Sequence, residues 1–584
     1  MNYRKGNIPA GWSAMLIALA SIYPLSAAHA WDIDTGNPNF TARWDNTFKY
    51  STMWRVKGQN PKVQGGTGLY GAPGDPVNYN DGDNNFDTGP VSNRIDLLTE
   101  LDLAWKRQFG VRASAAGWYD SVYNQSNANN SIFGSSSFSV GQNKFTKDTR
   151  DIMGRYIELL DAFVWDKGMV GSMPYTVRVG RHTLQYGETL FYGGNGIANA
   201  QGPIDVIKLV SVPGSQFKEI LRPVGQASFN LQINDNLTLD GYYQFQWEKS
   251  RLPAVGSYLS NIDWVGPGSE QLFVQNLFRA GGGILRRGGD IDASDQGQGG
   301  FAVHYTPPDS DYRFGVYFAN YHEKTPEIYF LPNGARGVPA PANPGVEGQI
   351  RLVYPENIKT FGASVTSSIG QLNWAAEVSW RIDEPLNSDP QVDVTGTADN
   401  NNHPLYAVGN TMHANVNGIY VLQPNRFWQG GTVLAEVAWN YLMECTMNCG
   451  PTAANNFNPT GARDPRATDH GLIFRIIFDP AYFQVLPGLD VDVPINFGYN
   501  PYGRSVAIGG AGPFYGEDIG DLSIGLNGRY QQVWQFGVSY THYIGAPNQF
   551  ATPQGSGVGP GEFETFGQTL QDRDFVSFNI HRTF

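Results

Sequence analysis

Asp81, Asp83, Asn85 and Asp87 alternate along the stretch DGDNNFD. Oxygen ligands at positions 1, 3, 5 and 7 are the spacing of a calcium loop. Phe86 stands where such a loop needs glycine, and position 12 is Ser92 rather than glutamate. An Asx-rich surface loop is the competing expectation, and no metal is assigned. Cys445 and Cys449 enclose Thr446, Met447 and Asn448. Two thiols are too few for zinc, and in an oxidising compartment a disulfide in an outer loop is the default. The chain holds no G-x-S-x-G elbow, no H-E-x-x-H and no Walker loop. His182, His304, His322, His413, His470 and His542 are scattered. No catalytic residue and no cofactor is expected, and the chain is read as a non-enzyme.

A second group of chemical residues is periodic. From Ala42 to Val56, even positions run Ala, Trp, Asn, Phe, Tyr, Thr, Trp, Val, while odd positions carry Arg43, Asp45, Lys49 and Arg55. From Arg94 to Lys106, Ile95, Leu97, Leu101, Leu103 and Trp105 share one parity; Arg94, Asp96, Glu100 and Asp102 share the other. Arg112 follows on the next segment. A period of two marks strands with one apolar and one polar face. Interleaved arginines and carboxylates on one inner surface make either a selectivity filter or a structural ion-pair network. Unpaired charge is costly, which favours the network.

The segment 182–221 is the third feature. It is too apolar for a surface loop, with glycines at 193, 194, 196 and 202 and an apolar run from Ile204 to Val212. Pro203 is placed to open a short helix and Pro213-Gly214 to end it. Two expectations stand side by side: a plug or constriction folded into a lumen, or a structured outer cap. Tyr186, Phe191, Tyr192, Ile204, Ile207 and Leu209 are the candidates for contact with a transported molecule.

These features need elements to position them. Strand segments are expected near 42–56, 94–106, 109–123, 156–166, 173–181, 223–234, 237–248, 299–306, 312–322, 358–368, 372–382, 411–422, 431–443, 470–479, 490–500, 520–530, 533–544 and 574–584. Many are longer than the usual ~5–6 residues and near the ~9–11 that cross a bilayer at a tilt. Connections alternate: Arg107-Gln108, Asn234–Asn236, Ile369–Gln371 and Tyr530–Gln532 are short, whereas 57–93, 249–298, 323–357 and 545–573 are long. Aromatic residues gather near strand ends. Together these predict an all-β fold, a transmembrane antiparallel outer-membrane β-barrel of about 18 strands with a long inserted loop or plug. A soluble sandwich also alternates, but with shorter strands and no such loop asymmetry.

Composition agrees. Of 584 residues 13% are aromatic and only 16% charged, with 70 glycines, which suits twisted strands and turns rather than several soluble domains. The net charge of -13 disfavours nucleic acid. Arg4 and Lys5, the apolar run Ala14–Pro24 and Ala28-His29-Ala30 read as a signal peptide, residues 1–30, preceding a single barrel domain, 31–584. Phe584, preceded at two-residue steps by Arg582, Ile580, Phe578 and Val576, resembles the terminal signal read by the barrel-assembly machinery, with Arg582 departing from the usual apolar residue.

The chain resembles an outer-membrane family catalogued only as a domain of unknown function, number thirteen-oh-two. The matching stretches are WDNTFKYSTMWRV (Trp44–Val56), DGDNNFD (Asp81–Asp87), SNRIDLLTELDL (Ser92–Leu103), GWYDSVYN (Gly117–Asn124), GRHTLQYGETLF (Gly180–Phe191), GNGIANAQ (Gly194–Gln201), PIDVIKLVSVPGSQFKE (Pro203–Glu219), RPVGQ (Arg222–Gln226) and DRDFVSFNIHRTF (Asp572–Phe584). The resemblance implies a barrel in the Gram-negative outer membrane, in contact with its lipid. It also implies a periplasmic lipoprotein-like partner and an RND-type inner-membrane transporter, and it carries over no catalytic residues.

The function expected is a monomeric channel or conduit that moves hydrophobic organic compounds or lipids across the outer membrane. Two alternatives stay open: a general aqueous porin for small polar solutes, and a non-transporting scaffold for a periplasmic export complex.

Overall fold

The computed structural model describes residues 31–64, 78, 81–130, 137–212, 216–274, 283–333, 335, 346–450, 462–464, 466–507, 516–551 and 564–584. The proposed signal peptide, 1–30, lies outside the described residues. A three-residue strand, β1 (Trp31–Ile33), precedes the long β2 (Phe40–Arg55), β3 (Gly89–Trp105), β4 (Phe109–Asp120), β5 (Arg155–Val170), β6 (Met173–His182), β7 (Val224–Asn234) and β8 (Leu237–Gln244). Two short strands, β9 (Gln271–Val274) and β10 (Gly283–Arg287), interrupt the series before β11 (Gln298–Tyr305) and β12 (Arg313–Tyr321). After β13 (Glu327–Pro332) and β14 (Val346–Val353) come β15 (Ile358–Ile369), β16 (Leu372–Pro385), the two-residue β17 (Gln391–Val392), β18 (Val408–Val421), β19 (Gly430–Met447) and β20 (His470–Leu486). The last are β21 (Leu489–Asp492), β22 (Ile495–Tyr502), β23 (Ile519–Tyr530), β24 (Trp534–Ile544) and β25 (Phe575–Thr583).

Consecutive long strands pair antiparallel from β2 round to β25, and β25 pairs back onto β2, Thr47 opposite Thr583 and Arg55 opposite Phe575. β21 and β22 occupy one position in the wall, the register against β20 running on from Ala481 opposite Asp492 to Phe478 opposite Ile495, with Val493 and Pro494 between them. The result is a closed antiparallel barrel of 18 strands. Every sheet edge is paired, and that is what lets a sheet sit in lipid. Phe584 finishes the seam by exchanging backbone hydrogen bonds with Asn46. β1 covers the rest of that edge of β2 by pairing with Ala42–Trp44.

The alternation read from sequence is the alternation of the wall. Trp44, Phe48, Leu97, Ile157, Phe301, Val316, Val416, Val437 and Ile524 lie exposed on the outer face. Their neighbours Asp45, Glu377, Ser379, Arg381, Asn415, Glu436 and Asn440 are buried inside. Trp105, Phe109, Tyr305, Phe314 and Tyr530 mark the belt at the short-turn end, and Trp54, Tyr119, Trp380, Tyr441 and Tyr502 mark the other, the aromatic girdles of a membrane barrel. Turns such as 370–371 and 487–488 take two residues, with Gly370 and Gly488 at φ +60° and +79°. Gln531 and Gln532 hold φ +51° and +59°, the primed geometry that matches strand twist.

At the long-loop end a second sheet of five strands, in the order β17-β13-β14-β10-β9, is assembled from three different loops. One face packs on Trp264, Leu272, Leu285, Phe330, Ile350 and Phe550. The other carries Tyr329, Leu331, Val353, Tyr406 and Val408. This cap is where the apolar residues of the long loops are buried.

Candidate functional site: the barrel interior and its inserted segment

Segment 183–221 leaves β6 and returns to β7 by way of the barrel interior. Its first half leans on the inner faces of β8, β11, β12, β15, β16, β18, β19 and β20. Tyr186, Ile197 and Ala200 pack with Tyr242, Ala302, Tyr317, Tyr321 and Ile358. Phe191 and Tyr192 pack with Ala438 and Ile473. Small inward residues make room: a Cβ on Gly362 would meet the Ile197 side chain.

Polar groups hold this half in place. Glu377 on β16 accepts hydrogen bonds from the backbone N–H of Glu188 and Ile197, the latter at 3.0 Å. Glu436 on β19 accepts from Leu190, Phe191 and Tyr192, at 3.2 Å for Leu190 and 3.1 Å for Tyr192. At the tip, Asn195 donates to Asn415 at 2.8 Å and receives the Asn440 amide at 3.1 Å, while His413 Nδ1 lies 3.0 Å from its Oδ1. Arg381, itself 2.6 Å from Glu384, donates to the carbonyls of Gly194 and Gly196 at 2.8 and 3.0 Å. A carboxylate that accepts several N–H groups is a strong anchor, because each bond is charge-assisted. Gly187, at φ +81°, lets the chain turn against Glu377 where a Cβ would collide.

The second half is held differently. The helix is Val206–Ser211, capped by Asp205, whose side chain accepts from the Lys208 N–H. It therefore starts three residues later than the Pro203 start expected, because Ile204 is drawn into a bridge with Leu221 instead. None of its residues is buried. Leu209 and Ile204 rest on Ala198, Phe217 and Ile220. Asp205 lies 3.0 Å from Arg251, which also pairs with Glu158. On the far side, Tyr543 of β24 donates to the Val210 carbonyl at 3.3 Å. The segment thus reaches from β6 and β7 to the opposite wall.

The six contact candidates divide. Tyr186, Phe191 and Tyr192 are buried as the packing of the segment onto the wall, so they hold it rather than line an open surface. Ile204 and Leu209 are partly buried in the small core beneath the helix, and Ile207 is half-exposed on its other side. Parity along 372–382 and 431–443, applied as it was to 42–56, puts Glu377, Arg381 and Glu436 inside; sequence reasoning passed over these anchors. Asn195 had no such signal.

The charged residues form a ladder across β2–β5. Arg43 bonds Asp45 at 2.8 Å, and Arg94 bonds Asp96 at 2.8 Å. Arg112 reaches Glu100, Asp102 at 2.8 Å and Asp161 at 3.3 Å. Register places Arg43 opposite Asp102, Asp45 opposite Glu100 and Lys49 opposite Asp96. Arg55 lies apart, at the long-loop end, fully buried and 2.6 Å from Asp83 and 3.4 Å from Asp572. Asp83, second acid of the calcium-like stretch, is thereby engaged with Arg55, and Asp81–Asn84 forms a helical turn. Cys445 belongs to β19, which runs beyond the expected strand end, and is joined to Cys449 just after it.

The family model described as "Protein of unknown function (DUF1302)" matches residues 11–584. No curated protein matches the sequence. Solved structures similar to the chain include OccAB1 of Acinetobacter baumannii, at 12% identity and TM-score 0.39 over 95% of this chain and 98% of that one. OccK9 (OpdG) of Pseudomonas aeruginosa follows at 10% and 0.38, over 93% and 98%. The outer membrane channel DcaP of A. baumannii gives 6% and 0.33, over 95% and 99%. Overlaps this low carry no argument; the barrel stands on its own ladder of strand pairs.

Proposed function

This chain belongs to the DUF1302 family of proteins of unknown function, and on that premise we propose that it is an outer-membrane conduit for hydrophobic organic compounds or lipids, kept closed by segment 183–221. The observation that supports this reading is the course of the segment. It is anchored on the far wall by Glu377 and Glu436 and bridged to β24 by Tyr543. A hydrophobic molecule stalls in a polar outer leaflet, and a walled passage through the barrel offers a way around it. In this reading the long-loop cap faces outward. The short turns face the periplasm, where a lipoprotein-like protein and an RND-type transporter are the partners proposed.

The ladder of charge on β2–β5 favours a second reading, an aqueous porin for small polar solutes. Planar-bilayer currents separate the two. The Phe217 N–H donates to the Leu190 carbonyl at 2.6 Å, which holds the two ends of a 190–215 deletion near each other. A silent intact barrel that conducts after the deletion supports the closed conduit. An intact barrel that conducts steadily supports the porin.

A further inference from the structure

Lys49, midway along β2 on the inner face, is the one ladder residue without a counter-ion of its own. Its register partner Asp96 is taken by Arg94 at 2.8 Å. Among the described residues no carboxylate lies within ion-pair distance of Lys49. The charges that act on it are Asp96, Arg94 and Lys208. Lys208 comes from the inserted helix, and its ammonium donates to a neutral carbonyl, that of Glu219, at 2.9 Å. Lys49 and Arg94 therefore share one carboxylate, with the charge of Lys208 acting on Lys49 from the inserted helix. Beside Lys49 in the wall sits His581, its register partner on β25. The Nδ1 of His581 is buried and has no hydrogen-bond partner among the described residues.

The helix completes the arrangement. At 100° per residue, Leu209 points down onto Ala198, Phe217 and Ile220, which turns Ile207 and Ser211 to the opposite face, flanked by Val210 and Lys208. Apolar surface and a lysine thus share one side of an element that crosses a polar interior. Like charges on two facing elements repel, and the arrangement is relieved when an anion lies between them.

We propose that the space between helix Val206–Ser211 and the β2–β25 wall is a binding site for an amphiphile with a carboxylate head, the head held by Lys49, Lys208 and His581 and the tail laid along Ile207 and Val210. The inference rests on the conduit reading and narrows its substrate class from hydrophobic compounds in general to hydrophobic acids.

The test is photolabelling of the full-length barrel in nanodiscs with a ten-carbon carboxylic acid bearing a tail diazirine, beside the matching alcohol. The acid is expected to label the peptide spanning 204–212 at least fivefold more than the alcohol. The double variant Lys49→Gln/Lys208→Gln should lose at least fivefold of that label while its heat-resistant gel mobility stays that of a folded barrel. Lys208→Gln alone, on an exposed position, serves if the double variant fails to fold, with a threefold loss expected. Equal labelling by acid and alcohol, label confined to other peptides, or label unchanged in Lys208→Gln would overturn the site. The conduit reading fails separately: it falls if neither the intact nor the deleted barrel passes current, whichever way the labelling comes out.

Discussion

The backbone N–H of Tyr192 lies 3.1 Å from the carboxylate of Glu436, on the opposite wall of the barrel. Leu190 and Phe191 donate to the same oxygen. Removing that carboxylate by Glu436→Ala strands four donors, these three N–H groups and the Asn415 side-chain amide, each costing about 1–3 kcal/mol when left unsatisfied in the interior. We expect Glu436→Ala, and more so Glu436→Ala with Glu377→Ala, to raise single-channel conductance severalfold in planar bilayers. Glu436→Gln keeps an acceptor and should do less. Conductance unchanged in the folded double variant would mean the segment does not close the passage.

Arg55 should matter for folding, not for conduction. It is wholly buried between Asp83 and Asp572, and its guanidinium also donates to the Phe86 carbonyl at 2.8 Å. Arg55→Ala leaves the buried carboxylate of Asp83 with Arg573 as its one ion-pair partner among the described residues, at 3.9 Å, and takes the cation from Asp572, a change that costs about 3–5 kcal/mol. The readout is urea unfolding followed by gel mobility; a midpoint like that of wild type would contradict this.

The cap predicts a pH effect with a definite sign. Burial, then Asp464, pushes Glu564 up to about 8 from its ordinary 4.5. Burial, with Glu564 beside it, pushes Glu327 well above its usual range. Raised carboxyl groups favour the protonated folded state. Their contribution is fully present below about 4.5 and is lost as pH rises through about 8. Hydrogen exchange in β13 and β14 should therefore speed up between pH 6 and 9 beyond the intrinsic rate. Glu564→Gln should retain slow exchange at pH 9, with a gain on the order of a few kcal/mol, and differ little from wild type at pH 5.

Lipid-facing positions predict the opposite of inward ones. Val437 is exposed between Glu436 and Ala438. Val437→Arg puts a charge in the belt at a cost of ~2–4 kcal/mol near the bilayer midplane. Ser379→Ala, on the inner parity of β16, removes a hydroxyl with no hydrogen-bond partner among the described residues and should fold in bilayers as wild type does. Equal folding yields for both variants would argue that this face does not meet lipid.

The wall is legible in the sequence. A strand has a period of two, and a membrane barrel must be apolar outside along its whole height, so each segment from 42–56 to 574–584 announced itself locally. Loop lengths alternate because one end of such a barrel has short turns. The helix start was misplaced for an equally local reason: Pro203 can begin a helix, but the Ile204–Leu221 bridge takes up that backbone first.

The sequence by itself determined the strands, their faces, the closing phenylalanine and the apolar character of 182–221. Each is set by residues close together along the chain. Only the tertiary structure decided where that apolar segment goes. Its anchors are Glu377 and Glu436, 180 or more residues beyond the N–H groups they accept. It likewise decided that Tyr186, Phe191 and Tyr192 are packing, and that the charge of Lys208 reaches Lys49. A contact between a loop and the far wall depends on barrel closure, and closure is a property of all 18 strands together, written in no single stretch.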